Sequence, residues 1–348
     1  MENGSRPSHT PGAVETASSA DAATRAGAML DHEETCKKVR DLALRHLNRF
    51  ISYESKVLKG DDANAIHDMR VASRRLQQVL DLLYLKPRPQ ELRRLRRQIC
   101  RCRRALGEVR NCDVLLDFVR RSLGRKRSAR REAWTAVQQF LLVRRSETFL
   151  RATHKLGKIN LTVFYVNLKA FLHQEKAAEH TAEHHAHGAA ASRARFAGDM
   201  TNALQSAWSR FEGQIEHSRR SPRPEIIHGT RIATKRLRYL LEVFHEFGVP
   251  GCADALSWLR QLQNHLGDWH DLEVLEQVII EMVARPDFLR DHLTLAMEVE
   301  KLILRNRASK AKIEATYLQA FRDSEDVRRL KEWISYLLAS PSTALVNS

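Results

Sequence analysis

Hydrophobic residues recur at steps of three and four positions along most of the chain, the spacing that predicts amphipathic helices. The clearest example lies between Asp62 and Pro87, where a helix drawn at about 100° per residue gathers its apolar side chains on one side. Asp61 or Asp62 is expected to cap the start of this helix, and Pro87 and Pro89 to stop it. The apolar side consists of Ile66, Met69, Ala72, Leu76, Val79, Leu80 and Leu83.

The same spacing predicts further helices over residues 42–51, 90–106, 114–119 and about 130–153. Residues 158–173 alternate apolar and polar positions, which would also suit a strand. A lone strand would leave its backbone groups without partners, so this segment is predicted to be helical too. The pattern therefore indicates a helical chain.

Two short signals are expected to mark helix ends. Gly107 follows the helix over 90–106 and is typical of a residue that ends a helix. Asn111 or Asp113 can then cap the next helix, and Asp271 is an equally good cap in the second half of the chain. The helices on either side of these positions are therefore predicted to be separate.

The segment 66–76 occurs a second time as residues 227–237, at an offset of 161 residues. When the match is extended to eighteen positions, seven residues are identical, and three of the seven are polar residues that core packing does not require. A second match, at an offset of 160 residues, relates residues 106–115 to 266–275. The chain is therefore predicted to be a duplication of one helical unit in a pseudo-twofold arrangement.

This duplication divides the chain into five parts. Residues 1–30 are rich in Ser, Thr, Ala, Gly and Pro and are expected to form a disordered tail. The two repeats cover residues 31–175 and 193–338, and a second tail covers residues 339–348. Between the repeats lies a His/Ala-rich segment, 176–192, whose histidines are interpreted as part of a solvated linker rather than as a metal site.

The charge of the chain narrows the class of partner. Lys and Arg total 58 against 42 Asp and Glu, a formal net charge of +16, which favours polyanions such as nucleic acid, anionic membranes or a phosphate polymer. No apolar run approaches the roughly 18 residues of a membrane span, and no export signal is found at the start. The five cysteines form no Cys-x-x-Cys pair, so neither a disulfide framework nor a zinc ribbon is indicated, and a cytoplasmic location is expected.

The side of the central helix opposite its apolar stripe carries a row of cationic side chains about one turn, roughly 5 Å, apart. Cations at that spacing repel one another unless an anion lies among them. Arg binds phosphate oxygens with a planar fork, Lys supplies a compact charge, and His adds a donor that becomes cationic in acid. Two such rows across a groove would suit a linear polymer with a negative charge on every unit. The rows are His67, Arg70 and Arg74, and His228, Arg231 and Lys235.

A His-x-x-Arg-(Val/Ile)-x-x-(Arg/Lys)-Arg-Leu helix that occurs twice, each time followed by a helix ending in Leu-Gly, resembles the CHAD family, the conserved histidine α-helical domain. The likeness spans nearly all of residues 31–338. It implies an all-α fold of two pseudo-symmetric four-helix units packed around a basic groove or pore, and binding of inorganic polyphosphate. It also implies association with polyphosphate granules and their proteins, or with triphosphate enzymes of the CYTH type. Because no β-rich partner domain of that type is present, a stand-alone copy is expected.

Two sets of side chains are predicted to contact polyphosphate. The first set follows from the repeated motif and consists of His67, Arg70, Arg74, Arg75, His228, Arg231, Lys235 and Arg236. The second set follows from helical phase and repeat alignment and consists of Arg97, Arg101, Arg104, Arg110, Arg144, Arg260 and Arg305. No catalytic residue, cofactor or metal site is predicted, so a binding protein rather than an enzyme is expected.

Two other functions remain open at this point. The dipeptides His67-Asp68 and His270-Asp271 suggest a metal-dependent phosphohydrolase of tri- or polyphosphate, although each dipeptide loses its aspartate in the other repeat. A non-specific nucleic-acid binder would also be basic. Aromatic residues make up only 7% of the chain, and none recur at spacings suited to base stacking, so only weak nucleic-acid binding is expected.

Overall fold

The computed structural model of the protein describes residues 37–84, 87–124, 130–182, 186–322 and 324–339. Every regular element in these residues is a helix, which confirms the predicted all-α class. None of the described helices combines the length and the apolar character needed to cross a membrane. The predicted N-terminal tail lies outside the described residues, as does the C-terminal tail beyond its first residue.

The helices of the described residues are numbered here in chain order. They are α1 (37–52), α2 (Glu54–Lys59), α3 (Ala63–Leu83), α4 (Gln90–Ala105), α5 (Gly107–Leu123), α6 (Arg131–Gly157), α7 (Leu161–Ala182), α8 (Ala186–Arg220), α9 (Pro224–Glu246), α10 (Cys252–Val283), α11 (Pro286–Asp291), α12 (Leu293–Arg322) and α13 (Glu325–Ala339). Helix α7 confirms the prediction of a helix rather than a strand for residues 161–173, while residues 158–160 connect α6 to α7.

The predicted linker is helical at both ends, because α7 extends into it and α8 begins within it. Residues 183–185 lie outside the described residues, and so do the side chains of the histidines in this segment. The division of the chain into two pseudo-symmetric four-helix repeats and a linker stays a prediction.

Helix α3 begins where the sequence predicts. The side chain of Asp62 accepts hydrogen bonds from the backbone N–H groups of Asn64 and Ala65, at 2.8 and 3.1 Å, and so caps the helix. The predicted apolar side is buried from Ile66 to Leu80, while Leu83, at the end of the helix, is only partly buried. Burial of this stripe leaves the basic side of α3 directed away from the core beneath it.

Two hydrophobic cores hold the helices together. The larger core collects side chains from most of the helices, with Phe50, Phe164 and Phe211 among its fully buried members. The rings of Phe50 and Phe164 meet edge to face, with centroids 6.0 Å apart. The smaller core joins α5 and α6 to α10 and α12. Both cores combine side chains from the two predicted repeats, and the larger core includes the apolar sides of both α3 and α9.

Helix α4 ends at Ala105, within one residue of the predicted end, but the predicted roles of the residues that follow are wrong. Gly107 is the first residue of α5 rather than a residue that ends α4, and Asn111 and Asp113 lie inside α5 rather than at its start. Helix α10 runs without a break past Asp271. The carboxylate of Asp113 is used instead in a contact between helices, where it accepts a hydrogen bond from Nε of Arg145 at 2.6 Å. A residue type that suits a cap does not act as one when tertiary contacts engage its side chain.

Gly60 stands at the junction of α2, α3 and α6. It has a φ of +77° and ends α2 in the left-handed region, where its N–H bonds to the carbonyl oxygen of Lys56. Its own carbonyl oxygen accepts a hydrogen bond from Arg145 at 2.9 Å, and the ring of Phe149 lies where a Cβ atom would be. Only glycine satisfies both the backbone angle and the close contact.

We expect Gly60→Ala to lower the free energy of unfolding by about 1–3 kcal/mol, because alanine is strained at this φ and its Cβ would meet the Phe149 ring. Gly213→Ala is the matched control, since Gly213 lies inside α8 with open space around it and alanine there should stabilise by about 0.5–1 kcal/mol. Urea-induced unfolding followed by circular dichroism measures both. Equal stabilities of the two variants would contradict the account of this junction.

Candidate anion-binding site

The basic sides of α3 and α9 meet in the folded chain. Burial lowers the pKa of Arg231 and Lys235 on α9, and the charge of Arg74, across on α3, lowers both further. Side chains from three other helices join them. We define the central basic cluster as His67, Arg70, Arg74, Arg103, Arg110, His228, Arg231, Lys235 and His270.

Arg70 anchors the half of the cluster that belongs to α3. Burial, with repulsion from Arg74, Arg103 and Arg110, lowers the pKa of Arg70 to about 10. Its Nη1 donates a hydrogen bond to the carbonyl oxygen of Arg103, at the end of α4. A Cβ atom on Gly107, the first residue of α5, would stand 3.4 Å from this Nη1, so the guanidinium lies against the start of α5. Arg70 is therefore held in place by a backbone group and remains charged at neutral pH.

Lys235 occupies the position on α9 that Arg74 occupies on α3. Burial and repulsion from Arg231 and Arg74 lower the pKa of Lys235 to about 6, so the amine is largely uncharged at neutral pH in the free protein. Its neighbour Arg231 has a buried Nε without a hydrogen-bond partner among the described residues. Both side chains are therefore poorly compensated by the protein itself.

Three histidines lie at the edges of the cluster. The rings of His228 and His270 approach each other with centroids 5.3 Å apart. Burial, together with the charges of Arg231, His228 and Lys235, lowers the pKa of His270 to about 3. Partial loss of solvent and repulsion from neighbouring cations also lower the pKa of His67 and His228. All three imidazoles are therefore predominantly neutral at pH 7 and can act as hydrogen-bond donors through one ring nitrogen.

Few negative charges offset the cluster. Asp271 influences both Arg231 and Lys235, but burial raises the pKa of this carboxyl group against the opposing effect of Arg231. Asp68 accepts a hydrogen bond from the hydroxyl group of Tyr53 at 3.2 Å. Among the described residues, no ion pair involves any of the five arginines of the cluster or Lys235. The cluster therefore keeps a positive excess in a partly buried space.

Two residues of the first predicted set lie outside the cluster. Arg75 turns toward α9 at another point, where its Nε donates to Oε2 of Glu242 at 3.0 Å. It borders a cavity of about 170 Å³ that His46, Glu242 and Arg260 also line. Arg236 is exposed on the outer side of α9. The other six residues of the first set, three from α3 and three from α9, belong to the central basic cluster.

The second predicted set is scattered. Arg110 of α5 belongs to the central basic cluster, where it lies near His67 and Arg70. Arg144 forms an ion pair with Glu281 of α10. The remaining members are exposed. Arg97, Arg101 and Arg104 lie on α4, Arg260 lies on α10 at the cavity beside Arg75, and Arg305 lies on α12.

Sequence reasoning missed two members of the cluster. His270 aligns with Arg110 at the offset of 160 residues, and this alignment would have found it. Arg103 is held by a hydrogen bond from its Nη1 to Oε1 of Gln77 at 2.7 Å, a partner on another helix, and no local signal marks it among the arginines of α4. In the described part of the chain, no group of three or more His, Cys, Asp and Glu side chains is placed to hold a metal ion.

The fold and the site together define a class of protein in which helices pack so that two basic sides share one cluster. Residues 41–279 match the CHAD domain family, and the chain belongs to that family, which confirms the resemblance of the repeated motif. The fold is similar to the crystal structure of the CHAD domain from the plant Ricinus communis, with a TM-score of 0.59 and 21% identity over 82% of this chain and 91% of that one. It is also similar to PptA from Streptomyces chartreusis, with a TM-score of 0.54 and 14% identity over 83% of this chain and 99% of that one. At these identities the likeness concerns the fold alone. No curated protein matches the sequence significantly.

We expect Lys235→Met to stabilise the free protein at pH 7. The unfolded chain binds a proton at Lys235 up to about its ordinary pKa of 10.5, whereas the folded chain loses it near pH 6. Between these values the unfolded state holds the extra proton, so this group lowers stability as pH falls toward 6. Removing the amine should raise the free energy of unfolding by about 1–3 kcal/mol at pH 7. This range is smaller than the full pKa shift would give at about 1.4 kcal/mol per pKa unit.

The difference between Lys235→Met and the wild type should shrink as pH rises toward the ordinary pKa of lysine. Lys312→Met, at an exposed position of α12, is the control and should leave stability nearly unchanged. Thermal unfolding at several pH values measures all three proteins. A Lys235→Met variant that is less stable than the wild type at pH 7 would contradict the uncompensated position of this amine.

Proposed function

We propose that this protein binds inorganic polyphosphate, a linear polyanion, in the central basic cluster. The observation that carries the proposal is the meeting of Arg74 of α3 with Arg231 and Lys235 of α9 in a partly buried space with few carboxylates. Cations that the protein does not neutralise need an external anion. The resemblance of the repeated motif to the CHAD family supports a phosphate polymer as that anion.

The chemistry of the cluster suits phosphate oxygens. Its five arginines offer planar forks of N–H donors, which match the oxygens of a phosphate group, and its histidines add single donors. From His67 to Arg74 the row on α3 extends about 10 Å along the helix, and the row on α9 has the same length. Several consecutive units of a linear polymer could therefore contact both helices at once, which a single small anion could not do.

The protein is expected to bind polyphosphate without hydrolysing it. We further propose that it acts in the cytoplasm, on or near polyphosphate granules, with granule proteins or a triphosphate enzyme of the CYTH type as partners. Weak, non-specific binding to nucleic acid is expected from the net charge of +16. Release of phosphate from polyphosphate in the presence of Mg²⁺ or Mn²⁺ would instead support the phosphohydrolase, and duplex DNA that displaces polyphosphate at equal phosphate concentration would support a nucleic-acid binder.

Arg70→Glu combined with Arg231→Glu should abolish retention of long-chain polyphosphate, because each substitution replaces a central cation of one helix with an anion. Helicity should be unchanged, since neither side chain belongs to a hydrophobic core. Arg210→Glu combined with Lys312→Glu changes the net charge by the same amount at exposed positions of α8 and α12 and is the matched control. Binding is measured by titration at constant ionic strength, and undiminished retention by the first double variant would defeat the proposal.

Polyphosphate binding should also take up protons. A bound polyanion favours the charged form of Lys235, so affinity should rise as pH falls from about 9 to about 7, by up to tenfold per pH unit if one proton is taken up. Lys235→Arg keeps a permanent charge at this position and should flatten the pH dependence while retaining binding. Calorimetric titrations in two buffers of different ionisation enthalpy measure the proton uptake directly. An equal pH dependence in the wild type and Lys235→Arg would contradict this role of Lys235.

A further inference from the structure

The seven arginines of α4 fall into two groups with different surroundings. Arg96 and Arg103 turn toward α3, where Arg96 forms an ion pair with Asp81 at 2.5 Å and Arg103 donates to Gln77. The other five arginines are exposed. At about 100° per residue they share an arc of roughly 100°, and they extend about 16 Å along the helix. We define the outer arginine face as Arg93, Arg94, Arg97, Arg101 and Arg104.

The outer arginine face is not neutralised by the described residues. None of its five side chains forms an ion pair or a hydrogen bond with a described residue. Some exposed arginines elsewhere have acidic neighbours one turn away, such as Arg121, which pairs with Asp117 at 3.2 Å, and Arg220, which pairs with Glu216 at 3.1 Å. Like charges three and four residues apart repel each other on a helix, so this face is unfavourable for α4 on its own.

The outer arginine face is continuous with the central basic cluster. Arg103, a member of the cluster, lies beside Arg104 on the same helix, and the charge of Arg104 contributes, after burial, to lowering the pKa of Arg103. Arg103 in turn lies near Arg74, at the centre of the cluster. An anionic chain that leaves the cluster past Arg103 therefore meets Arg104 as the next cation along α4.

We propose that the outer arginine face binds the part of a long polyphosphate chain that extends beyond the central basic cluster, so that the protein prefers long chains to short ones. This inference rests on the proposed function. Five charges in about 16 Å correspond to one charge every 3–4 Å. A polymer with a negative charge on each unit can neutralise charges at this spacing along its length. Once the cluster holds one segment of the chain, binding of the next segment is intramolecular and gains from a high effective concentration.

The test compares two ligands and three proteins. The ligands are tripolyphosphate, which is too short to leave the cluster, and polyphosphate of about 100 units, long enough for the second segment to bind intramolecularly. The proteins are the wild type, Arg94→Gln/Arg97→Gln/Arg101→Gln, and Arg121→Gln/Arg210→Gln/Arg328→Gln. The third protein loses the same charge at exposed positions of three other helices. Glutamine favours the helix almost as well as arginine, so α4 should persist.

The α4 variant should bind the long chain at least about tenfold more weakly than the wild type, while its affinity for tripolyphosphate changes less than about twofold. The slope of log affinity against log salt for the long chain should fall by about 2, because each lost phosphate contact removes about 0.7. The control variant should change both affinities equally and by less. Equal losses for the two ligands, or a loss no larger than that of the control, would overturn the inference.

Two further outcomes separate this inference from its alternatives. If the wild type binds neither ligand, the proposed function itself fails. In the second outcome, the α4 variant keeps its affinity for long polyphosphate but no longer binds vesicles of phosphatidylcholine with phosphatidylserine, or no longer binds duplex DNA. The outer arginine face would then bind a membrane or nucleic acid, respectively, and the inference would be overturned.

Discussion

Repulsion among cations in a partly buried space is the interaction on which the account of this protein depends. The larger hydrophobic core packs helix α3, which carries Arg74, against helix α9, which carries Arg231 and Lys235. Because these side chains are partly buried, water does not screen their charges fully. In the free protein this repulsion is reduced because Lys235 is largely uncharged at neutral pH. An anion that enters the cluster would remove the remainder, so the same repulsion that weakens the free protein favours the bound one.

The packing around the cluster offsets this cost. Helices α3 and α9 bury their apolar sides, and Glu242 of α9 accepts hydrogen bonds from both Arg75 and Arg238. Arg45 of α1 pairs with Glu246 of α9 at 2.9 Å. Carboxylates are thus placed where they join helices, while the cluster a few turns away is left with few of them. This unequal distribution of acids, rather than the total charge, distinguishes the central basic cluster from an ordinary basic surface.

The sequence predicts features that depend on one helix and misses those that depend on two. The apolar stripe of α3 and its cap at Asp62 were predictable because each follows from residues within a turn or two. The partner of Arg75 was not predictable, since Glu242 is 167 residues away in the sequence. The same holds for Arg103, whose partner Gln77 lies on another helix, and for Asp113, whose contact with Arg145 replaces the predicted helix cap. Repetition of the motif predicted which side of each central helix carries the basic row, because a recurring sequence places the same side chains on one side of each helix.

The most direct measurement is a crystal structure of the protein bound to tripolyphosphate. If the central basic cluster binds phosphate polymers, the phosphate oxygens of one ligand should lie within hydrogen-bonding distance of an arginine of α3 and of Arg231 or Lys235 of α9. A structure in which tripolyphosphate binds elsewhere, while only water fills the space between the two helices, would contradict the central claim.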